Sequence, residues 1–330
     1  MIHPPSFDEA ELITLIDRLV RSAPGLHGGS AKVRQISQKQ ERYRGGYDAV
    51  VASVIPFYVQ AKTASFHTGN STKSDIISGR NSLGANCSPG AFAFYLRKHT
   101  GTTEPLQHNA LYWLSLRSMA GYVSPTFVSE AALEKRMDEA LKVQRHQIWR
   151  YDELGYHEDG ISAVQKIKAR HFRGLITIVP HRLVDSHLHR YSYTDGPNPE
   201  VVFHSDPEHV PNSYDFDRFI GKIILSEQSD RNNNNSKIGA PITVDELKQR
   251  HLDWIIDAQD LSGEGIDITL PDISNALASA GFSSSARFTR YDNAMSYLKK
   301  LDWLDLSSFF GALLKEKYGI RQLMVLNFTP

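Results

Sequence analysis

The sequence predicts a mixed α/β protein with a mainly helical C-terminal part, and three observations predict it. A capped amphipathic helix opens the chain, strand-like and helical segments alternate from there to about residue 225, and the segments beyond a polar break are helical. The expected organisation is an α/β domain over 1–225, a linker over 226–241 ("SEQSDRNNNNSKIGAP") and a helical part over 242–330.

In "PPSFDEAELITLIDRLVRSAPG", Ser6 stands as N-cap with Glu9 three residues on, the pattern of a capping box. Leu12, Ile13, Ile16, Leu19 and Val20 recur at helical spacing, and Pro24-Gly25 stops the run. A basic stretch follows with Lys32, Arg34, Lys39, Arg42 and Arg44 against the single acid Glu41, then the apolar run "GGYDAVVASVIPFYVQAKTA". The Ser-, Gly- and Asn-rich stretch 63–90 reads as a long exposed loop. "AFAFYLR" and "GYVSPTF" read as strands flanking the helix "LQHNALYWLSLRSMA", and "SEAALEKRMDEALKVQRHQIWRY" as a charged helix. Strand character returns in "GLITIVPHRL", "HRYSYT" and "EVVFHSD" before the helical part begins. There Leu247, Leu252, Ile255 and Ile256 lie broadly on one side of their helix, and the apolar stretch from Leu298 to Leu314 carries more than one stripe needs, so the part is expected to dock on residues 1–225 or on a second copy.

Composition excludes several classes. Basic and acidic residues both number 37, so no global field draws the chain to nucleic acid, and any attraction is local to the basic stretch 32–44, which could contact phosphates. One cysteine, Cys87, rules out an internal disulfide framework and suits a reducing cytoplasm; as a nucleophile it has no base beside it in sequence. No apolar run is long enough to span a bilayer, and the N-terminus has no signal-peptide pattern. The expectation is a cytoplasmic protein without a membrane partner. Phosphate-binding and dinucleotide glycine motifs are both missing.

The chemistry concentrates in the run 45–64. A turn at Ile55-Pro56 would fold it into a hairpin in which Asp48 faces Lys62 and Val50 faces Gln60, with Ala49, Val51, Phe57, Val59 and Ala61 on the opposite, apolar face. A cross-strand Asp–Lys pair at the surface is one reading of that face. The other is a metal-dependent phosphodiesterase site. Asp48, the Gln60 amide oxygen and the Ala61 carbonyl would hold Mg²⁺ or Mn²⁺, and Lys62 would orient or deprotonate a water. Five histidines, His181, His187, His189, His204 and His209, together with Asp206, form a second candidate cluster that could take zinc or manganese, or simply be strand histidines.

"GGYDAVV…PFYVQAK" resembles the catalytic stretch of restriction-endonuclease-like nucleases with the PD-(D/E)xK pattern. It is closest to the Mrr-like variant, in which glutamine replaces the acid of the ExK. The following blocks "FAFYLRKH", "QHNALYWLSLR", "GYVSPTF" and "HRYSYTDG…VVFHSD" are similar to those of uncharacterised bacterial proteins, so the resemblance covers roughly 40–210. It implies a mixed sheet flanked by helices and a Mg²⁺-dependent nuclease acting on DNA more than RNA, as such isolated nucleases do in anti-phage defence. Asp48 and Gln60 would be metal ligands and Lys62 the catalytic lysine. It further implies an acid from before the first strand, Glu9 or Glu41, and a glutamine on the next helix, Gln107. A homodimer or a partner protein of a defence system is also implied. The sequence departs from the pattern in lacking the Pro-Asp and the second carboxylate, which leaves a non-cleaving nucleic-acid-binding or sensor module as the alternative.

Overall fold

A computed structural model of the chain describes residues 1–21, 31–35, 51–71, 73–96, 107–140, 173–185, 188–196, 198–211, 213–216, 219–220, 240–261, 266–282 and 288–328. It is a mixed α/β protein, and the described residues form two six-stranded sheets. The first sheet runs β1 (Ile2–His3), β4 (Ser65–Thr68), β5 (Gly90–Tyr95), β8 (Arg190–Tyr193), β9 (Val201–Phe203) and β10 (Glu208–His209), antiparallel throughout. The second runs β11 (Ser213–Asp215), β7 (Leu175–Ile178), β6 (Met119–Pro125), β3 (Val51–Ala61), β12 (Arg321–Phe328) and β2 (Ala31–Gln35). Its one parallel pair among the described residues is β3 with β6.

Strand β3 is uninterrupted for 11 residues, which overturns the turn at Ile55-Pro56 and the Asp48–Lys62 and Val50–Gln60 pairings that it would create. The proline is tolerated for a backbone reason. Val54 exchanges both of its backbone hydrogen bonds with Ile242, on the side away from β12. By alternation the missing N–H of Pro56 would aim the same way, into the gap before β6 pairing begins at Phe57. No ladder bond is lost.

Alternation along β3 also sorts the core. Phe57, Val59 and Ala61 join Leu12, Leu15, Ile16 and Leu19 of α1 (Glu9–Arg21) and Leu133 of the helical stretch 130–140 (α4) on one face. Tyr58 faces the opposite way, into the large core that the second sheet shares with the first through Phe92, Phe94, Tyr191 and Tyr193. That core also takes in α3 (Gln107–Ser115) and the C-terminal helices α5 (Val244–Asp260), α6 (Leu270–Ser279), α7 (Tyr291–Leu298) and α8 (Trp303–Tyr318). With each full burial of such a side chain contributing about 1.5–3 kcal/mol, β3 is held from both faces.

The segment 242–330 thus holds the expected helices, packed on the rest of the chain, and ends in a strand that helical spacing does not announce. Strand β12 pairs with β3 on one side and β2 on the other, so residues near the C-terminus form an interior strand of the second sheet.

Two local expectations change. Ser6 does not cap α1: its hydroxyl donates to the Val128 carbonyl and accepts from the Glu130 amide, at the start of α4. Asp8 and Glu11 form the reciprocal pair instead, each carboxylate accepting from the other's backbone N–H at 2.9 Å, which leaves the Glu9 carboxylate without a capping task. The stretch 63–90, expected as an exposed loop, contains β4 and α2 (Asp75–Ser82). Ser74 caps α2, and Arg80, fully buried, donates to the carbonyls of Asn86 and Glu200 and to the Ser192 hydroxyl. A buried guanidinium with these partners ties the loop to β8.

Removing residues 321–330 strips β2 and β3 of their shared neighbour. A chain ending at Ile320 is expected to lose the cooperative unfolding transition of the full protein in urea, followed by tryptophan fluorescence. A soluble truncation with the full-length midpoint would contradict the central position of β12.

Candidate active site

The end of β3 gathers five of the residues expected from sequence: Glu9, Gln60, Ala61, Lys62 and Gln107. Lys62, one residue past the strand, has its side chain 9% exposed and donates to Glu9 Oε1 at 3.2 Å. Glu9 begins α1 and is about half exposed, so the lysine is buried beneath an acid that still meets solvent. Two residues earlier, the buried Gln60 amide donates to Gln107 Oε1 at 2.6 Å and to the Tyr318 carbonyl at 3.2 Å. Gln107 is the first residue of α3, and Tyr318 the last of α8. Four elements far apart in sequence therefore meet at one strand end.

Backbone groups fix this end to β6. The Lys62 N–H donates to the Val123 carbonyl at 2.9 Å, and the Lys62 carbonyl accepts from the Ser124 hydroxyl at 2.7 Å. By alternation the Ala61 carbonyl points to the opposite edge, past the first β12 pair, Arg321 with Val59. It lies beyond the end of that ladder.

Sequence reasoning missed two groups here, Tyr122 and His108. Tyr122 stands across from Gln60 in the β3–β6 register. Its hydroxyl lies 3.0 Å from His108 Nδ1, while His108 Nε2 lies 2.8 Å from the Arg182 carbonyl. A carbonyl only accepts, so Nε2 carries the proton and Nδ1 accepts from the tyrosine. Burial holds the His108 pKa down to about 3, and burial, Tyr191 and Glu9 together push that of Tyr122 well up, so both rings are neutral. The dipeptide Gln107-His108 at a helix start was the available signal; the parallel pairing that puts Tyr122 beside Gln60 was not readable.

Other expected residues are elsewhere. Asp48, Glu41, Lys39, Arg42 and Arg44 lie outside the described residues. Lys32 and Arg34 are on β2, the edge strand of its sheet. Ala61 stays at the β3 end between Gln60 and Lys62, with its methyl group buried on the α1 face.

The histidines are dispersed into separate pairs: His181 with Glu208 and Tyr191, His189 with Asp185, His204 with Ser192, and His209 with the Leu83 carbonyl. Asp206 binds Arg182, and His187 lies outside the described residues. Among the described residues no group of three or more His, Cys, Asp or Glu side chains converges to hold a metal ion. Cys87 is partly buried with its Sγ on backbone carbonyls and no base beside it.

The atoms at the β3 end do suit a hard cation in kind. Gln60 Oε1 is buried with no partner among the described residues, a state that costs about 1–3 kcal/mol and that a donor or a cation would relieve. The Glu9 carboxylate has a second oxygen beyond the one on Lys62, and the Ala61 carbonyl is off the ladder. All three are oxygens, with one charge among them.

No family model, curated protein or solved structure matches the chain. No helix among the described residues is long and apolar enough to cross a membrane.

Two buried histidines set a pH dependence. His108 and His251, the latter packed on Phe310 and bonded to Tyr58, Ser307 and Gln322, both have pKa values lowered to about 3 by burial. Unfolded histidine takes a proton near pH 6.5. Their contribution is therefore complete above that pH and is lost as pH falls from there toward 3, by up to about 1.4 kcal/mol per unit for each. The urea midpoint is expected to be lower at pH 5 than at pH 7.5, with a smaller difference in His251→Gln. An unchanged midpoint would contradict neutral burial.

Proposed function

We propose that the protein is a metal-dependent phosphodiester hydrolase, a nuclease acting on DNA, with its site at the Lys62 end of β3. The observation that carries this reading is a buried lysine held by the acid of the first helix, two residues after a glutamine whose buried amide oxygen has no partner. The order of elements supports it. A helix bearing the acid, a strand ending in Gln-x-Lys, a helix opening with Gln107 and a strand parallel to the first follow in sequence, within an α/β protein whose second sheet has helices on both faces. The acid, the Gln-x-Lys strand and the glutamine-bearing helix come in the order that the resemblance drawn from the sequence expects.

In this reading Glu9, Gln60 Oε1 and the Ala61 carbonyl hold Mg²⁺ or Mn²⁺. The bound cation would supply charge neutralisation on the phosphate and a more acidic water. Lys62 does the positioning. Glu9 is the only hydrogen-bond partner of its ammonium among the described residues, so that group has donors left for an attacking water or a phosphate oxygen. Glu9 fixes where that ammonium sits, and burial of the lysine strengthens its field at the phosphorus.

A second reading is favoured by a specific observation: a single carboxylate, that of Glu9, reaches this end of β3 among the described residues. A nucleic-acid-binding module that keeps the arrangement without cleavage would have such a site. One assay separates the two. Purified protein with Mg²⁺ or Mn²⁺ is expected to cut duplex DNA, and Lys62→Ala to lower the rate by at least about 100-fold, the scale of removing a group that acts in the transition state. The folded state would be retained, because the Glu9 carboxylate that loses its partner is about half exposed and stays solvated. DNA binding without cleavage by the wild type, unchanged in Lys62→Ala, would establish the module instead.

A further inference from the structure

Gln60 occupies the position at which the nuclease pattern has an acid, and its surroundings require an amide. Helix α8 ends at Gly319, whose φ of +65° gives the left-handed cap that glycine favours. The Gly319 N–H returns to the Lys315 carbonyl, and the Tyr318 carbonyl, one of the last-turn acceptors that a helix cannot satisfy internally, is left to Gln60 Nε2. The second Nε2 hydrogen goes to Gln107 Oε1. A Cβ at position 319 would stand 3.5 Å from Gln107 Nε2 and 3.6 Å from Gln60 Nε2, so the end of α8 packs directly on both amides.

This fixes which way round the Gln60 amide sits. Turned over, its oxygen would face the Tyr318 carbonyl, a backbone acceptor that cannot turn with it, and two acceptors would be buried against each other. A carboxylate would meet that carbonyl in every rotamer. An amide alone offers two donors to the helix end and to α3 while leaving a bare acceptor on its other side.

We propose that Gln60 is an amide by requirement rather than a decayed acid: its NH₂ end clamps the C-terminus of α8, and Gln107 is a positioning residue that holds the amide so that Oε1 alone is presented to the ligand. Residues 303–319 are then part of the site's support, which explains why the chain returns from so far in sequence to its end. What Oε1 faces rests on the cation reading above; the sense of the amide does not.

Two measurements on the full-length protein test this together: hydrogen exchange of the Gln60 side-chain NH₂ by ¹⁵N NMR, and Mn²⁺ binding by calorimetry. The NH₂ is expected to be protected in the wild type and in Gln107→Glu, which keeps an acceptor. In Gln107→Ala it should exchange faster, with Mn²⁺ binding weakened about 10-fold, the scale of losing a group that orients a ligand. Gln60→Glu should bind Mn²⁺ no more tightly than the wild type despite its added charge, and unfold at lower urea. An NH₂ exchanging as fast as a free side chain, or a Gln60→Glu protein that binds Mn²⁺ more tightly with an unchanged urea midpoint, would overturn the proposal. Wild-type protein that binds no Mn²⁺ would overturn the cation reading, and the exchange rates would still decide the orientation of the amide.

Discussion

Everything in this structure depends on β3 being enclosed on all sides. It has β12 on one edge, β6 and Ile242 on the other, α1 against its odd-numbered face and the large aromatic core against its even-numbered face. A strand so enclosed reads as a nearly continuous apolar run, and Val51–Val59 is one. Polar side chains on it must find partners inside the protein. Tyr58 finds His251, Gln60 finds Gln107 and the end of α8, and Lys62 finds Glu9. The polar atoms left over after that pairing are the ones with chemistry to offer.

The same enclosure explains what could and could not be read from sequence. Glu9, Gln60, Lys62 and Gln107 were legible because each carries a polar group at a strand end or a helix start, where side chains of separate elements converge. The hairpin was misread because a run apolar on both faces has no alternation to mark its direction, and Pro56 then looked like a turn. Its tolerance depends on where Ile242 and Met119 fall, nearly 190 residues away in one case and some 60 in the other, positions that only the assembled sheet reveals. β12 was hidden for the same reason: its partners are β2 and β3, at the far end of the sequence. Asp8 takes the capping role because Ser6 is bound at the start of α4, to Val128 and Glu130, 122 and 124 residues away. The loop at 63–90 looked exposed by composition, and becomes a strand and a helix because Arg80 is buried against β8.

The C-terminal segment changes meaning in this light. As a helical appendage on an asparagine-rich linker it would add a surface. As the source of a central strand and of the carbonyl under Gln60, it is bound into the same cooperative unit as the site. Mutations in α8 that never approach Lys62 can then act on the site through the position of Tyr318 and Gly319.

The central claim is that the functional site is at the Lys62 end of a straight β3. Paramagnetic broadening by Mn²⁺ in ¹⁵N spectra of the full-length protein tests that most directly. The account predicts broadening of backbone signals around Glu9, Ala61–Lys62, Gln107 and Gly319, with those at the Val51 end of the strand left sharp. Broadening centred on Val51 and its neighbours, or none that is selective for either end, would contradict it.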